Sequence, residues 1–173
     1  MFTRKTGSLR RRCDELICAL GLPEPIEVRS LIAHVSQIRS RPIVLHPMPG
    51  LSEPGAPCGV WLATDYTDHI FYETVTSTYH QTQIVLHEMG HVISNDPPRE
   101  GEYEYLTRRL LPNLDPAMVK RVLMRGGFNH PEEDRAEMIA SLILERSTAW
   151  DPTMPVSETP LLDALSQALG RRR

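Results

Sequence analysis

The chain has 173 residues, of which 40% are hydrophobic and 24% are charged, as is typical of a globular protein. This length predicts one domain over residues 1–173, with flexible basic ends at 1–8 and 171–173. No apolar stretch is long enough to cross a bilayer, and a net charge of −3 does not favour nucleic acid. We therefore expect neither a membrane nor a nucleic acid as a direct partner.

The cysteines and the N-terminal segment indicate a compartment. The cysteines have neither a disulfide-framework spacing nor a Cys-x-x-Cys pair, so reduced thiols are expected at Cys13, Cys18 and Cys58. Asp14 and Glu15 precede a short apolar run, and no small-residue cleavage site follows it, which argues against a signal peptide. Together these features predict a cytoplasmic protein.

The first half of the chain predicts two helices and then three strands. Apolar residues recur at helical spacing over residues 9–20, which Gly21 ends, and from 25 or 26 to 38, before Pro42. Short apolar runs predict strands at 43–45, 59–63 and 69–73, the last two joined as a hairpin. The predicted fold class is α+β, with a small, mostly antiparallel three-stranded sheet packed with several helices.

The second half is predicted to be helical. Thr76 or Ser77 can cap a helix that continues to about residue 93, and Asn95-Asp96-Pro97-Pro98 ends it. Further helices are predicted at 102–111, at 116–125, from 129–131 to about 145, and at 156–169. The basic segment 97–129 can be a lid, a partner surface or a solvated face, and the sequence does not decide among them.

The predicted helix that ends near residue 93 contains His87-Glu88-Met89-Gly90-His91. Histidines four residues apart project from one helix face and can bind the same zinc ion. Zinc lowers the pKa of a bound water, and a neighbouring carboxylate can take its proton and pass it to a leaving amine. The motif therefore predicts a zinc peptidase with one zinc ion per chain and Glu88 as general base and then acid.

A catalytic zinc site needs a third protein ligand, and an acidic run at 132–134 supplies candidates. Glu132 heads an apolar helical row and Asp134 a polar one, whereas Glu133 shares a face with small residues that allow another helix to approach. Glu133 is the predicted ligand, although acidic residues there also simply complement a helix dipole. Glu137, one turn later, is either the partner of a zinc-bound histidine or a surface glutamate.

These residues resemble the ImmA/IrrE family of metallopeptidases. Its members show His-Glu-x-Gly-His followed by Glu-x-x-Ala-(Asn or Asp)-x-Phe-Ala-x-x-Leu-Leu, and this chain has Glu133-x-x-Ala136-Glu137-x-Ile139-Ala140. Glu137 and Ile139 depart from the family pattern. The resemblance implies a gluzincin-like fold of the zincin type, with the motif on a central helix, and cleavage of a bacterial or phage-type transcriptional repressor. The alternative is a catalytically silent regulator, or a component of a toxin and antitoxin pair, that sequesters a transcription factor.

Other polar side chains are candidates for contacts with the substrate. His80 lies near the motif face and is either at the rim of the cleft or an ordinary polar-face residue. A donor to the developing oxyanion is needed, and the sequence does not choose among Tyr72, Tyr103, Tyr105 and His130. If the strand at 69–73 lies at the edge of the sheet, an extended substrate can pair with it.

Overall fold

The computed structural model describes residues 2–51, 58–63, 66–96 and 130–147. It confirms the α+β class, with four helices and one three-stranded sheet in these ranges: α1 (Phe2–Ala19), α2 (Val28–Arg39), β1 (Ile43–Met48), β2 (Gly59–Ala63), β3 (Asp68–Glu73), α3 (Thr78–Ser94) and α4 (His130–Arg146). No helix within the described ranges is both long and apolar enough to cross a membrane. The helices predicted at 102–111, 116–125 and 156–169, and the basic end at 171–173, lie outside these ranges.

Two helix starts differ from the prediction. Helix α1 begins at Phe2 rather than near residue 9, so it includes residues 2–8. Helix α2 begins at Val28 because the backbone of Ile26 is used elsewhere: its N–H donates to the carbonyl of Arg146 at 2.8 Å, beside a bridge to Ser147.

The sheet is mixed, and the predicted, mostly antiparallel arrangement is wrong. Strands β2 and β3 form the expected antiparallel hairpin, but β1 pairs with the other side of β3 in parallel, giving the order β1-β3-β2. Hairpin patterns fix only strands that follow one another, whereas the edge that β1 joins depends on tertiary packing. All six residues of β3 are buried, which suits a central strand.

The core lies between the sheet and the helices. Leu45, Ile70 and Trp61 align across the three strands. They pack in one cluster with apolar side chains from α3 and α4, among them Leu86, Met89, Ile139, Leu142 and Ile143. This packing holds the helix with the histidine motif between the sheet and α4.

Helices α3 and α4 touch through their backbones. A Cβ at Gly90 would lie 2.8 Å from both the Cα and the carbonyl oxygen of Ala136, a distance that real Cβ atoms do not show. Glycine is therefore required at position 90, because a side chain there would push the backbone of α4 away. The crossing places the first turn of α4 beside the histidines of α3.

The C-terminal end of α3 is tied to α2 and the sheet. Asn95 ends the helix in the left-handed region, at φ 52°. Arg39 donates to the carbonyl of Val92 and to Asn95 Oδ1, and it pairs with the buried Asp68 at 2.8 Å. Trp61 Nε1 also donates to Asp68. This network fixes the end of the helix that carries the site.

Candidate metal centre

The two motif histidines lie on α3 as the spacing predicts. The side chain of Ser77 accepts a hydrogen bond from the His80 N–H and caps the helix, and the helix then continues through both histidines. The Nε2 atoms of His87 and His91 are 3.2 Å apart, with the two rings edge to face. His91 is buried, whereas His87 is partly exposed. Both rings therefore present Nε2 to one point.

Glu133 reaches the same point from α4. Its Oε2 lies 3.6 Å from His87 Nε2, and its Oε1 lies 3.4 Å from His91 Nε2. The ligand atoms of these three residues all lie within 4.8 Å of one another, so the group can hold a metal ion. Two imidazole nitrogens and one carboxylate suit a transition metal such as zinc. The crossing of Gly90 with Ala136, one turn after Glu133, brings the two helices close enough for this convergence.

The outer nitrogen of His87 faces the second predicted carboxylate. Glu137 Oε2 lies 3.4 Å from His87 Nδ1, and the Glu137 side chain is 69% exposed. A carboxylate only accepts hydrogen bonds, so this contact requires the proton on Nδ1 and leaves Nε2 to face the ligand group.

The outer nitrogen of His91 has a partner that the sequence did not reveal. Asp96 Oδ2 lies 3.0 Å from His91 Nδ1, and the guanidinium of Arg135 pairs with Oδ1 of the same carboxylate. In the sequence, Asp96 reads only as part of the helix stop before Pro97 and Pro98. The available signal was its position five residues after His91, just past the helix end, which the αL turn at Asn95 folds back.

Glu88 lies beside a cleft of ≈ 310 Å³ between α3, α4 and the start of β2. Glu88 and His87 both line it, together with residues that include Cys58, Gly59, His80, Gln83, Ile84 and Ser141. The Glu88 side chain is buried. A Cβ at Gly59 would lie 2.9 Å from Glu88 Oε1 and 2.5 Å from Ile84 Cγ2, so the absence of a side chain there makes room for the carboxylate.

The remaining candidate residues have different fates. His80 lines the cleft, and its Nδ1 lies 3.4 Å from Gln83 Oε1. Tyr72 is buried among the apolar core residues, and burial raises the pKa of its phenol. His130 is the first residue of α4, and its side chain is outside the described set, as are Tyr103 and Tyr105. The geometry thus supports a cleft position only for His80.

The strand that we predicted to pair with an extended substrate, β3, is not an edge strand. Strand β3 pairs on both sides and has no open edge. Among the described strands, β2 is the edge strand beside α3, and its first residue, Gly59, adjoins Glu88. The reason is the parallel pairing of β1, which makes β3 central.

Comparison with protein-family models, curated proteins and solved structures gives no match. The likeness to the ImmA/IrrE family thus stays a prediction from the motif residues of α3 and α4.

Proposed function

We propose that this protein is a zinc-dependent metallopeptidase with a zincin-like fold, which hydrolyses a peptide bond in a protein partner. One observation carries the proposal: the ligand atoms of His87, His91 and Glu133 lie within 4.8 Å of one another, beside a cleft that Glu88 lines. Zinc peptidases use three such ligands and keep a further position open for water or substrate.

The chemistry assigned to the chain centres on Glu88. A bound zinc ion would supply a water of lowered pKa and polarise the carbonyl of the scissile bond. Glu88 accepts the proton of the attacking water and donates it to the leaving amine nitrogen. It suits this role because it follows His87 directly, lines the same cleft and is only 4% exposed, which limits competition from bulk water.

The position of β2 suits the binding of an extended substrate. A peptide that pairs with its outer edge would pass Gly59 and therefore lie beside the Glu88 carboxylate. The cleft between α3 and α4 would then receive one substrate side chain, with the aliphatic Ile84 and Leu144 among its walls. That the partner is a transcriptional repressor rests on the ImmA/IrrE resemblance alone, whereas the cytoplasmic location rests on the cysteine spacing and the N-terminal segment.

The test uses Glu88→Gln, which keeps the shape of the side chain and removes its basic carboxylate. The zinc-loaded variant and wild type are incubated with candidate repressors from the same genome, starting with any encoded next to this gene, and intact-mass spectrometry follows each repressor. We expect wild type to shorten one of them and the variant to be about 10²–10⁴-fold slower, with equal zinc content, because Glu88 is not a ligand.

Two outcomes would contradict the proposal. Full activity of Glu88→Gln would remove Glu88 from the mechanism. A repressor that wild type binds but leaves intact would instead favour the regulator that acts by sequestration.

A further inference from the structure

Asp96 contacts His91 twice. Its backbone N–H donates to the His91 carbonyl at 3.0 Å, and its Oδ2 lies 3.0 Å from His91 Nδ1. The left-handed backbone of Asn95 produces this return of the chain towards the helix. The Asp96 side chain is 3% exposed, so the contact with the ring is shielded from solvent.

Arg135 holds the other oxygen of this carboxylate. It lies on α4 two residues after Glu133, and its guanidinium pairs with Asp96 Oδ1. The chain of contacts from His91 through Asp96 to Arg135 therefore returns to the helix that supplies the third ligand. It joins α3 and α4 a second time, next to the crossing of Gly90 with Ala136.

The chemistry of these groups selects one of the two neutral tautomers of the imidazole. A carboxylate has no proton to donate, so His91 Nδ1 must be the donor to Oδ2. In the neutral ring, Nε2 then carries the lone pair and lies 3.4 Å from Glu133 Oε1 and 3.2 Å from His87 Nε2. This is the tautomer that a metal ligand requires at Nε2.

We propose that Asp96, held by Arg135, is a positioning residue that sets the tautomer and ring orientation of His91 before a metal ion binds. The inference rests on the metal site proposed above, but it does not depend on peptide hydrolysis. It also predicts that Asp96 contributes more to zinc binding than Glu137 does. Glu137, the corresponding partner of His87, is 69% exposed and 3.4 Å away. A solvated contact of this kind orients a ring less firmly than a buried one.

The first experiment measures the zinc dissociation constant of chelator-stripped protein by competition with a chromogenic chelator. We expect Asp96→Ala to weaken zinc binding about 10–100-fold, and the matched control Glu137→Ala to weaken it by less than about tenfold. Arg135→Met should weaken binding in wild type but add nothing to Asp96→Ala, because Arg135 acts through Asp96.

A second measurement separates positioning from a merely structural role. Long-range ¹H–¹⁵N spectra of the metal-free protein report which ring nitrogen of His91 carries the proton. We expect Nδ1 in wild type and in Asp96→Asn, whose amide oxygen still accepts, and a shift towards Nε2 in Asp96→Ala. A structural role would lower the melting temperature of the metal-free protein without changing the tautomer.

The proposal is overturned if Asp96→Ala binds zinc within about twofold of wild type, or keeps the proton of His91 on Nδ1. If Asp96→Ala does not fold, Arg135→Met decides: unchanged zinc affinity would overturn the proposal. A repressor that stays intact would refute the peptidase and leave this inference standing. A wild type that binds no zinc would refute the proposed function, while the tautomer measurement would still decide the role of Asp96.

Discussion

Two histidine pairs in the described residues lie at similar distances but in opposite surroundings. His87 and His91 meet on one face of α3, with their Nε2 atoms 3.2 Å apart. His46 and His69 meet across β1 and β3, with Nε2 of the first 2.9 Å from Nδ1 of the second. Distance alone therefore does not distinguish a candidate metal site from a pair of packed rings.

The difference lies in what surrounds each pair. The carboxylates of Glu133, Glu137 and Asp96 contact the rings of His87 and His91, which we call the α3 pair. His46 and His69, which we call the sheet pair, stack on Phe71. Within the described ranges, no third residue forms a metal-binding group with them. Burial, with a smaller effect from the neighbouring His69, lowers the pKa of His46 to about 4. Within the described ranges, α4 supplies Glu133 and Glu137 and the segment after α3 supplies Asp96, so carboxylates reach the pair on α3 but not the pair on the sheet.

The largest expected effect comes from removing one histidine of the α3 pair while the sheet pair stays intact. His91→Ala removes a predicted ligand, and zinc affinity should fall by more than about 100-fold, since loss of an outer partner alone costs up to that amount. The matched His46→Ala removes an imidazole of the same kind from the sheet, and it should keep about one zinc per chain. Elemental mass spectrometry of both purified variants measures the contrast. Equal loss of zinc from the two would contradict the assignment of the site to α3.

The sequence predicted the group of His87, His91 and Glu133 that could hold a metal ion, because each part of the pattern lies within one helix. Histidines four residues apart need only a helix, and Glu133 followed from its helical row. Asp96 could not be found in this way. Its role requires the left-handed turn at Asn95 and the ion pair with Arg135, and the second of these joins residues far apart in the chain.

The next prediction tests how far the α3 pair depends on the approach of α4. Gly90→Ala places a methyl group against backbone atoms of Ala136, which cannot rotate away, so the helices must separate. We expect the free energy of unfolding to fall by about 1–3 kcal/mol, as overpacking costs, and zinc binding to weaken because Glu133 moves with α4. Denaturant titration and chelator competition measure the two effects.

Gly7→Ala is the matched control for that substitution. Gly7 lies in α1, with nothing within 4 Å of the position of an added Cβ. Alanine should leave stability unchanged or raise it by up to about 1 kcal/mol, because it favours helix more than glycine does. Wild-type stability and zinc affinity in Gly90→Ala would show that the crossing of α3 and α4 does not set the site.

The sheet pair shows what sequence patterns could not predict about the fold. The three strands were each predicted near their observed positions, because short apolar runs between turns indicate strands. Their order was not, and His46 and His69 are neighbours only because β1 lies parallel to β3. Pairing between strands separated in sequence depends on tertiary packing, which a local pattern does not show.

The smallest expected effect is a pH dependence of stability that arises from the sheet pair. The folded-state pKa of His46 is about 4, below its ordinary value of 6.5, so folding favours the neutral ring. The corresponding stability is therefore complete above about pH 6.5 and is lost as the pH falls towards about 4. We expect a loss on the order of 1 kcal/mol from protonation at His46, and His46→Phe should reduce it because the phenyl ring keeps the stack and cannot be protonated.

The measurement is the free energy of unfolding from pH 7 to pH 4, with and without His46→Phe. Both proteins carry Glu133→Ala, which removes a predicted zinc ligand and so limits the contribution of metal binding to the pH dependence. The pKa of His69 is also lowered, mainly by burial and against the opposing effect of Asp68, so some acid sensitivity should remain in His46→Phe. Identical pH profiles for the two proteins would show that the sheet pair does not oppose protonation. The contrast with the carboxylate-bound pair on α3 would then rest on ligand geometry alone.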